Sequence, residues 1–236
     1  MAKTLKKMTS LTDQKEDAWR NAILLIIIGL GALFSGREVG IAIAAIVFMF
    51  AATHIQRSLI WAAGESGEAA VHNILASLPE GNYVIHDLVL PKDKGTAQLD
   101  HVVVNRSGVF NIESKNFAGT ISGNDEICMH YTPGGARRLY APGRQVSDHA
   151  RAISAILANR PEYRELAPQG MPVRPVVAFS DRLRIRYKTT LAKVLKLKDM
   201  HEYILSESQE LLLSPEQAAS LALYILAFDL SQKRYG

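Results

Sequence analysis

Two uncharged runs dominate the first quarter of the chain. Asn21 to Gly36 (NAILLIIIGLGALFSG) and Val39 to Gln56, centred on IAIAAIVFMFAA, are separated only by Arg37 and Glu38. At about 1.5 Å rise, runs of about 16 to 18 residues reach roughly 24 to 27 Å, slightly short of a hydrocarbon core of about 30 Å. Two such runs joined by a charged turn predict a transmembrane helical hairpin whose ends snorkel into a locally thinned bilayer. A re-entrant loop and a buried core hairpin are the competing readings. A secretory signal peptide fits poorly, because a long mixed-charge leader precedes the first run, no small-x-small cleavage site follows it, and a second apolar run comes at once.

Beyond Arg57 the periodicity changes. Gly64 to Leu78 places Ala70, Val71, Ile74, Leu75 and Leu78 on one helical face, with Pro79 and Gly81 ending it. Tyr83 to Leu90 reads as a strand. Gln98 to Asn105 and Gly108 to Asn116 are β-rich runs around Arg106-Ser107, which predicts an antiparallel hairpin. Pro142 to Asn159 is an amphipathic helix, Val173 to Phe179 a buried strand, Leu183 to Leu191 a more exposed strand, and Pro215 to Leu230 a closing helix. This order predicts an α/β or α+β class with a mixed sheet.

Of 236 residues, 48% are hydrophobic and 21% charged. That composition excludes disorder, and nearly all the apolar excess lies in the two runs, leaving a globular remainder. Residues 1–20 form a polar tail with no fold expected, 21–56 the hairpin, and 57–236 one domain with a motif-bearing core over 64–179. Lysines in the tail and Arg57 beyond the second run put both flanks on the positive side, so both ends and the domain are expected in the cytoplasm, on the inner face of the cell membrane. Trp19 and Trp61 lie where interfacial anchors would sit. The single cysteine, Cys128, cannot form an internal bridge and gives no Cys/His zinc spacing. A net charge of +4 leans toward anionic partners.

The hairpin carries the chemistry. If Asn105 faces Gly108, Asp100 falls opposite Glu113 and Gln98 opposite Lys115, and period-two alternation puts all four on one face. Two carboxylates across a strand pair repel unless a cation lies between them, and a hard divalent ion, Mg²⁺ or Mn²⁺, suits an all-oxygen pair. Lys115 beside it would orient water or stabilise charge on a phosphate. The plainer alternative is a solvated strand face on which Lys115 neutralises the acids. His101 falls on the opposite face, as a packed histidine.

The run Gln98 to Val104 (QLDHVVV), then Gly108-Val109-Phe110, then Glu113-Ser114-Lys115-Asn116-Phe117 with Gly119, resembles the signature of the NERD (nuclease-related) domain family, which is assigned to the PD-(D/E)xK restriction-endonuclease-like superfamily. Gly64-Glu65-Ser66-Gly67-Glu68 with Asp87-Leu88 resembles its N-terminal motif, and Pro142 to Gln145 its Asn-Pro-x-x-Gln helix start, with Ala141 in place of Asn. The resemblance implies a restriction-endonuclease-like core with Asp100 and Glu113 as metal ligands, Lys115 as the catalytic lysine, Glu68 and less directly Glu65 as further acids, and Gln145 near the site.

Arg182, Arg184, Arg186 and Lys188 alternate with apolar residues as a one-sided basic strand. Such a strand suits a phosphate backbone, with Arg144 adding to the groove, or else is a charged edge that resists aggregation. Together these readings predict a membrane-anchored, divalent-metal-dependent endonuclease acting in the cytoplasm on nucleic acid, DNA first. The second reading is a catalytically inactive tethered module that binds nucleic acid or protein within a larger complex. A dimer would make double-strand cleavage easiest, and small residues such as Gly29 and Gly31 would permit close helix contacts with membrane partners.

Overall fold

The computed structural model describes residues 1–7, 12–34, 38–92, 94–165 and 171–231, with the side chains of 12–15 and 60–66 left out. Its contacts divide the chain into two compact units, Ser10–Ala69 and Met1–Thr9 with Ala70–Gly236. The elements in order are β1 (Lys3–Lys6), α1 (Thr12–Phe34), α2 (Glu38–Ala76), β2 (Tyr83–Pro91), β3 (Thr96–Asn105), β4 (Gly108–Lys115), β5 (Gly119–Gly123), β6 (Cys128–Thr132) and β7 (Gly135–Leu139). They continue as α3 (Pro142–Ala158), α4 (Pro161–Arg164), β8 (Val173–Phe179), β9 (Leu183–Tyr187), β10 (Lys193–Lys196), α5 (Met200–Ser206) and α6 (Pro215–Leu226).

The helical unit contains two stretches long and apolar enough to cross a membrane, Glu16–Phe34 of 19 residues and Glu38–Leu59 of 22. Both exceed the uncharged runs because flanking polar residues continue the helix, and at about 1.5 Å per residue they reach roughly 28 and 33 Å. Their outward positions are large and apolar: Ile23, Leu24, Ile27, Ile41, Ile46 and Phe50 are exposed, whereas the buried positions are small, Ala18, Ala22, Ala44 and Ala51. A Cβ on Gly29 would come within 2.6 Å of the Phe48 ring, so α1 and α2 touch there through glycine. The amphipathic helix expected to start at Gly64 is not separate: α2 runs unbroken from Glu38 to Ala76.

The second unit holds a mixed α/β architecture, as the alternation of patterns predicted. Six strands form one sheet in the order β1-β2-β3-β4-β8-β10, and four form another in the order β7-β6-β5-β9. In the larger sheet β2, β3 and β4 are antiparallel neighbours, while β1, β8 and β10 add in parallel. Val102, Val103 and Val104 are all fully buried, because β3 is covered on both faces. On one face, α3 and α6 pack Ile153, Ile156, Leu221 and Ile225 against Val102, Val104 and Val109. On the other, Val71 and Leu75 of α2 with Met200 and Ile204 of α5 cover Val84, Val103, Phe110 and Ile112. Proline at the first turn of α3 and α6, and a Ser214/Gln217 capping box on α6, set where those helices begin.

Three features depart from the sequence reading. The tail is not structureless: Lys3–Lys6 adds to β2 as an edge strand, its Leu5 packing on the core and Lys6 reaching Asp229 at 2.7 Å. Gly119 to Leu139 forms three short strands that, with β9, build the second sheet. The exposed strand ends at Tyr187 and the closing helix at Leu226, earlier than the patterns indicated.

Candidate active site on the β3–β4 hairpin

The two-residue loop Arg106-Ser107 sets the register. Asn105 pairs with Gly108 and every rung follows in step to His101 with Ile112. Gly108 carries a φ of +124°, and a Cβ there would meet the Pro172 carbonyl at 2.6 Å, so the turn requires glycine. One rung further, past the last pair of the ladder, Asp100 and Glu113 come together with their carboxyls close enough to interact. The Ser114 amide donates to Oδ2 of Asp100 at 3.0 Å. Lys115 Nζ forms an ion pair with Oε1 of Glu113.

Glu113 is 1% exposed, an unusual place for a carboxylate. Burial, and next the Asp100 carboxyl beside it, push its pKa up to about 7 against the pull of Lys115. Burial likewise raises Asp100, opposed by Lys115, the Ser114 amide and His149. A carboxyl pair that must share a proton stands where a cation would relieve it.

Two residues that no motif pointed to complete the site. His149 of α3 turns Nδ1 toward Oε2 of Glu113 at 3.6 Å, and neither atom has a hydrogen-bond partner. Burial lowers the His149 pKa, with Asp100 pulling the other way. Asn111 of β4 donates to the Val146 carbonyl at 2.9 Å, tying α3 to this face of the sheet. The only sequence signal for His149 is its spacing, one helical turn beyond Gln145.

The remaining expected residues fall as follows. Gln145 is half-buried on the first turns of α3, and Arg144 beside it is exposed. Ala141 gives α3 no side-chain cap; instead the Gly143 amide donates to Tyr187 Oη at 3.0 Å. Gln98 is exposed beyond a break in alternation. Leu88 and Leu99 join the same core cluster as Ile85 and Val102, so the period-two count fails between Asp87 and Asp100, which lie opposite one another in the β2–β3 register. Asp87 has a φ of +50°, in the left-handed region. Glu68 is half-buried on α2 within the helical unit, and the side chain of Glu65, like that of Trp61, lies outside the described residues.

Arg182, Arg184, Arg186 and Lys188 are all exposed, and Arg184 and Arg186 share one face of β9, the edge of the second sheet. Arg182 reaches Asn116, the residue after Lys115, at 3.5 Å. On the other face of the hairpin, His101 is buried in a chain that runs from His72 through His86 (3.2 Å) to His101 (2.8 Å) and on to Ser114 Oγ (3.4 Å).

The donor chemistry fits a hard divalent ion. Oε2 of Glu113 is a buried oxygen without a partner, and two carboxylates with water filling the remaining positions match the usual protein share of an Mg²⁺ shell. Among the described residues, no three His, Cys, Asp or Glu groups converge as a ready-made metal cluster.

The profile of the nuclease-related domain, NERD, matches residues 63–180, half of the chain. The chain belongs to the NERD family. An uncharacterized protein of Bacillus anthracis is 33% identical over 99 residues, a stretch that makes up 40% of this chain and 46% of that relative. The chain therefore spans about half the length of the curated relative it matches. All three residues of the carboxylate–lysine cluster lie inside the NERD match, as do His149 and the strands that hold them.

Proposed function

We propose that this NERD protein is a membrane-anchored nuclease that hydrolyses phosphodiester bonds, of DNA in the first instance, on the cytoplasmic side of the membrane, with Mg²⁺ or Mn²⁺ as cofactor. The observation that carries the reading is the pairing of half-buried Asp100 with buried Glu113, with Lys115 on Glu113. A binding surface gains nothing from holding two repelling carboxyls together. Asp100 and Glu113 would hold the ion, which supplies charge neutralisation and activation of water. Lys115 would orient the attacking water and stabilise the phosphate oxygen that gains charge. His149 would hold the orientation of the Glu113 carboxyl. Gln145, half-buried at the start of α3, would stand in support. Arg144, Arg182, Arg184, Arg186 and Lys188 would take backbone phosphates.

Membrane anchoring is supported by the inverted packing of α1 and α2, small residues inside and large apolar ones outside, the pattern of helices solvated by lipid. An even number of crossings is supported by β1, which precedes α1 and pairs with β2 after α2. The stretches on either side of the hairpin therefore share one compartment.

The second reading, a tethered module that binds nucleic acid or a partner without cleaving, is favoured by one observation, the lack of a converged three-ligand cluster among the described residues. Plasmid cleavage decides between them. Protein purified in detergent should nick or linearise plasmid with Mg²⁺ or Mn²⁺, and Lys115→Ala should lose that activity. Metal-independent DNA binding without cleavage by the wild type would establish the second reading.

A further inference from the structure

Between α3 and the β2–β3 loop lies a cleft of about 900 Å³, lined by Lys92 and Lys94 of that loop, Asp148 and Arg151 of α3, and an apolar floor that includes Ile156 and Phe228. None of these residues belongs to the basic strand β9. Both loop lysines and Arg151 are exposed. The cleft adjoins the candidate site through α3: His149, which faces Glu113, sits between Asp148 and Arg151 in sequence, and Lys92 is near enough to oppose its protonation. At the base of the loop Pro91 pairs with Thr96, and the Lys92 amide donates to the Gly95 carbonyl at 3.1 Å.

We infer that this cleft is the track of the scissile strand: Lys92 and Lys94 grip the backbone phosphates on one side of the bond that meets Asp100 and Glu113. The inference rests on the nuclease reading and names how its substrate lies. Three features favour a polynucleotide. The volume is that of a ligand cleft. Cations stand on its rim while the floor is apolar, which matches a chain with charged phosphates on one side and bases and sugars on the other. Arg151 is already engaged by Asp148, whereas neither Lys92 nor Lys94 has an ion-pair partner among the described residues.

The test is binding without chemistry. The full chain in detergent, in EDTA, is titrated against a fluorescent single-stranded DNA oligonucleotide at several salt concentrations. Lys92→Ala/Lys94→Ala should bind roughly tenfold more weakly and lower the slope of log K against log salt by about 1.4, the loss of two phosphate contacts on a single strand. The surface control Lys198→Ala should change neither by a comparable amount. An unchanged affinity and slope in the loop variant would overturn the inference. So would loss of binding to anionic phospholipid vesicles with oligonucleotide binding intact, which would make the cleft a headgroup site. A wild-type protein that binds no nucleic acid would instead sink the nuclease reading itself, so the two failures are distinguishable.

Discussion

Oε2 of Glu113 and Nδ1 of His149 face each other at 3.6 Å, both buried and neither hydrogen-bonded. Glu113 thus stands between Lys115 on one oxygen and His149 on the other, with Asp100 alongside. This cluster costs the metal-free protein stability. A carboxyl held near 7 rather than 4.5 binds its proton more tightly in the folded state, so its contribution falls as pH rises from about 4.5 through 7. At pH 8, Glu113→Gln should therefore raise stability by about 1 kcal/mol, the gain being reduced by loss of the Lys115 ion pair. Mg²⁺ should raise the wild-type Tm and leave that of the variant unmoved. Melting curves at pH 5 and pH 8, with and without Mg²⁺, check both; a variant less stable than wild type at pH 8 would contradict the account.

Removing the imidazole acts differently. His149→Ala leaves Glu113 buried with one fewer group to fix its orientation, but no ion pair is lost, so cleavage should fall more than metal affinity. A drop in kcat of about tenfold, with Mn²⁺ binding within about threefold of wild type by calorimetry, is the expected pattern for a positioning residue. Loss of Mn²⁺ binding together with activity would instead make His149 a ligand.

How much of this could be read from sequence follows from the range of the interactions. The Asn105–Gly108 register was legible because β-branched runs flank a two-residue turn, and local geometry then carries the pairing through to Asp100 and Glu113. Alternation failed one rung further, where left-handed Asp87 lies opposite Asp100 and the faces exchange, which takes Gln98 away from the lysine. β1 was not legible because Lys-Thr-Leu-Lys has no strand period of its own, and only pairing with β2 and the Lys6–Asp229 ion pair give it form. The second sheet hides in a polar segment interrupted by glycines, whose Ile121, Cys128 and Leu183 find a core only against α3 and β8. His149 comes to Glu113 by packing of α3 on the sheet, which no local pattern encodes.

The histidine chain makes a separate pH prediction. Burial, then neighbouring histidines, hold His86 and His101 down at about 3. With folded values below the unfolded 6.5, both stay neutral in the native state, so their contribution is complete above about 6.5 and is lost progressively as pH falls toward 3. His86→Leu should halve that acid loss, at some cost in stability at pH 7 from the stranded His101 nitrogen. Urea midpoints across pH 4 to 7 for both proteins give the difference directly, and parallel curves would show that the chain does not titrate.

The last prediction concerns the N-terminal strand. Lys6 is largely buried and pairs at 2.7 Å with Asp229, whose Oδ1 also accepts the Val89 amide at 3.2 Å. Lys6→Met leaves that carboxylate only the Val89 and Ser231 hydrogen bonds and should cost about 2 kcal/mol, whereas Lys6→Met/Asp229→Asn should recover part of the loss. Because β1 precedes α1, its pairing with β2 supports the proposed two-crossing hairpin: reporters fused before Met1 and after Gly236 should both give cytoplasmic signals in the wild type. Opposite signals from the two ends would place a membrane between β1 and β2 and would overturn the proposed hairpin.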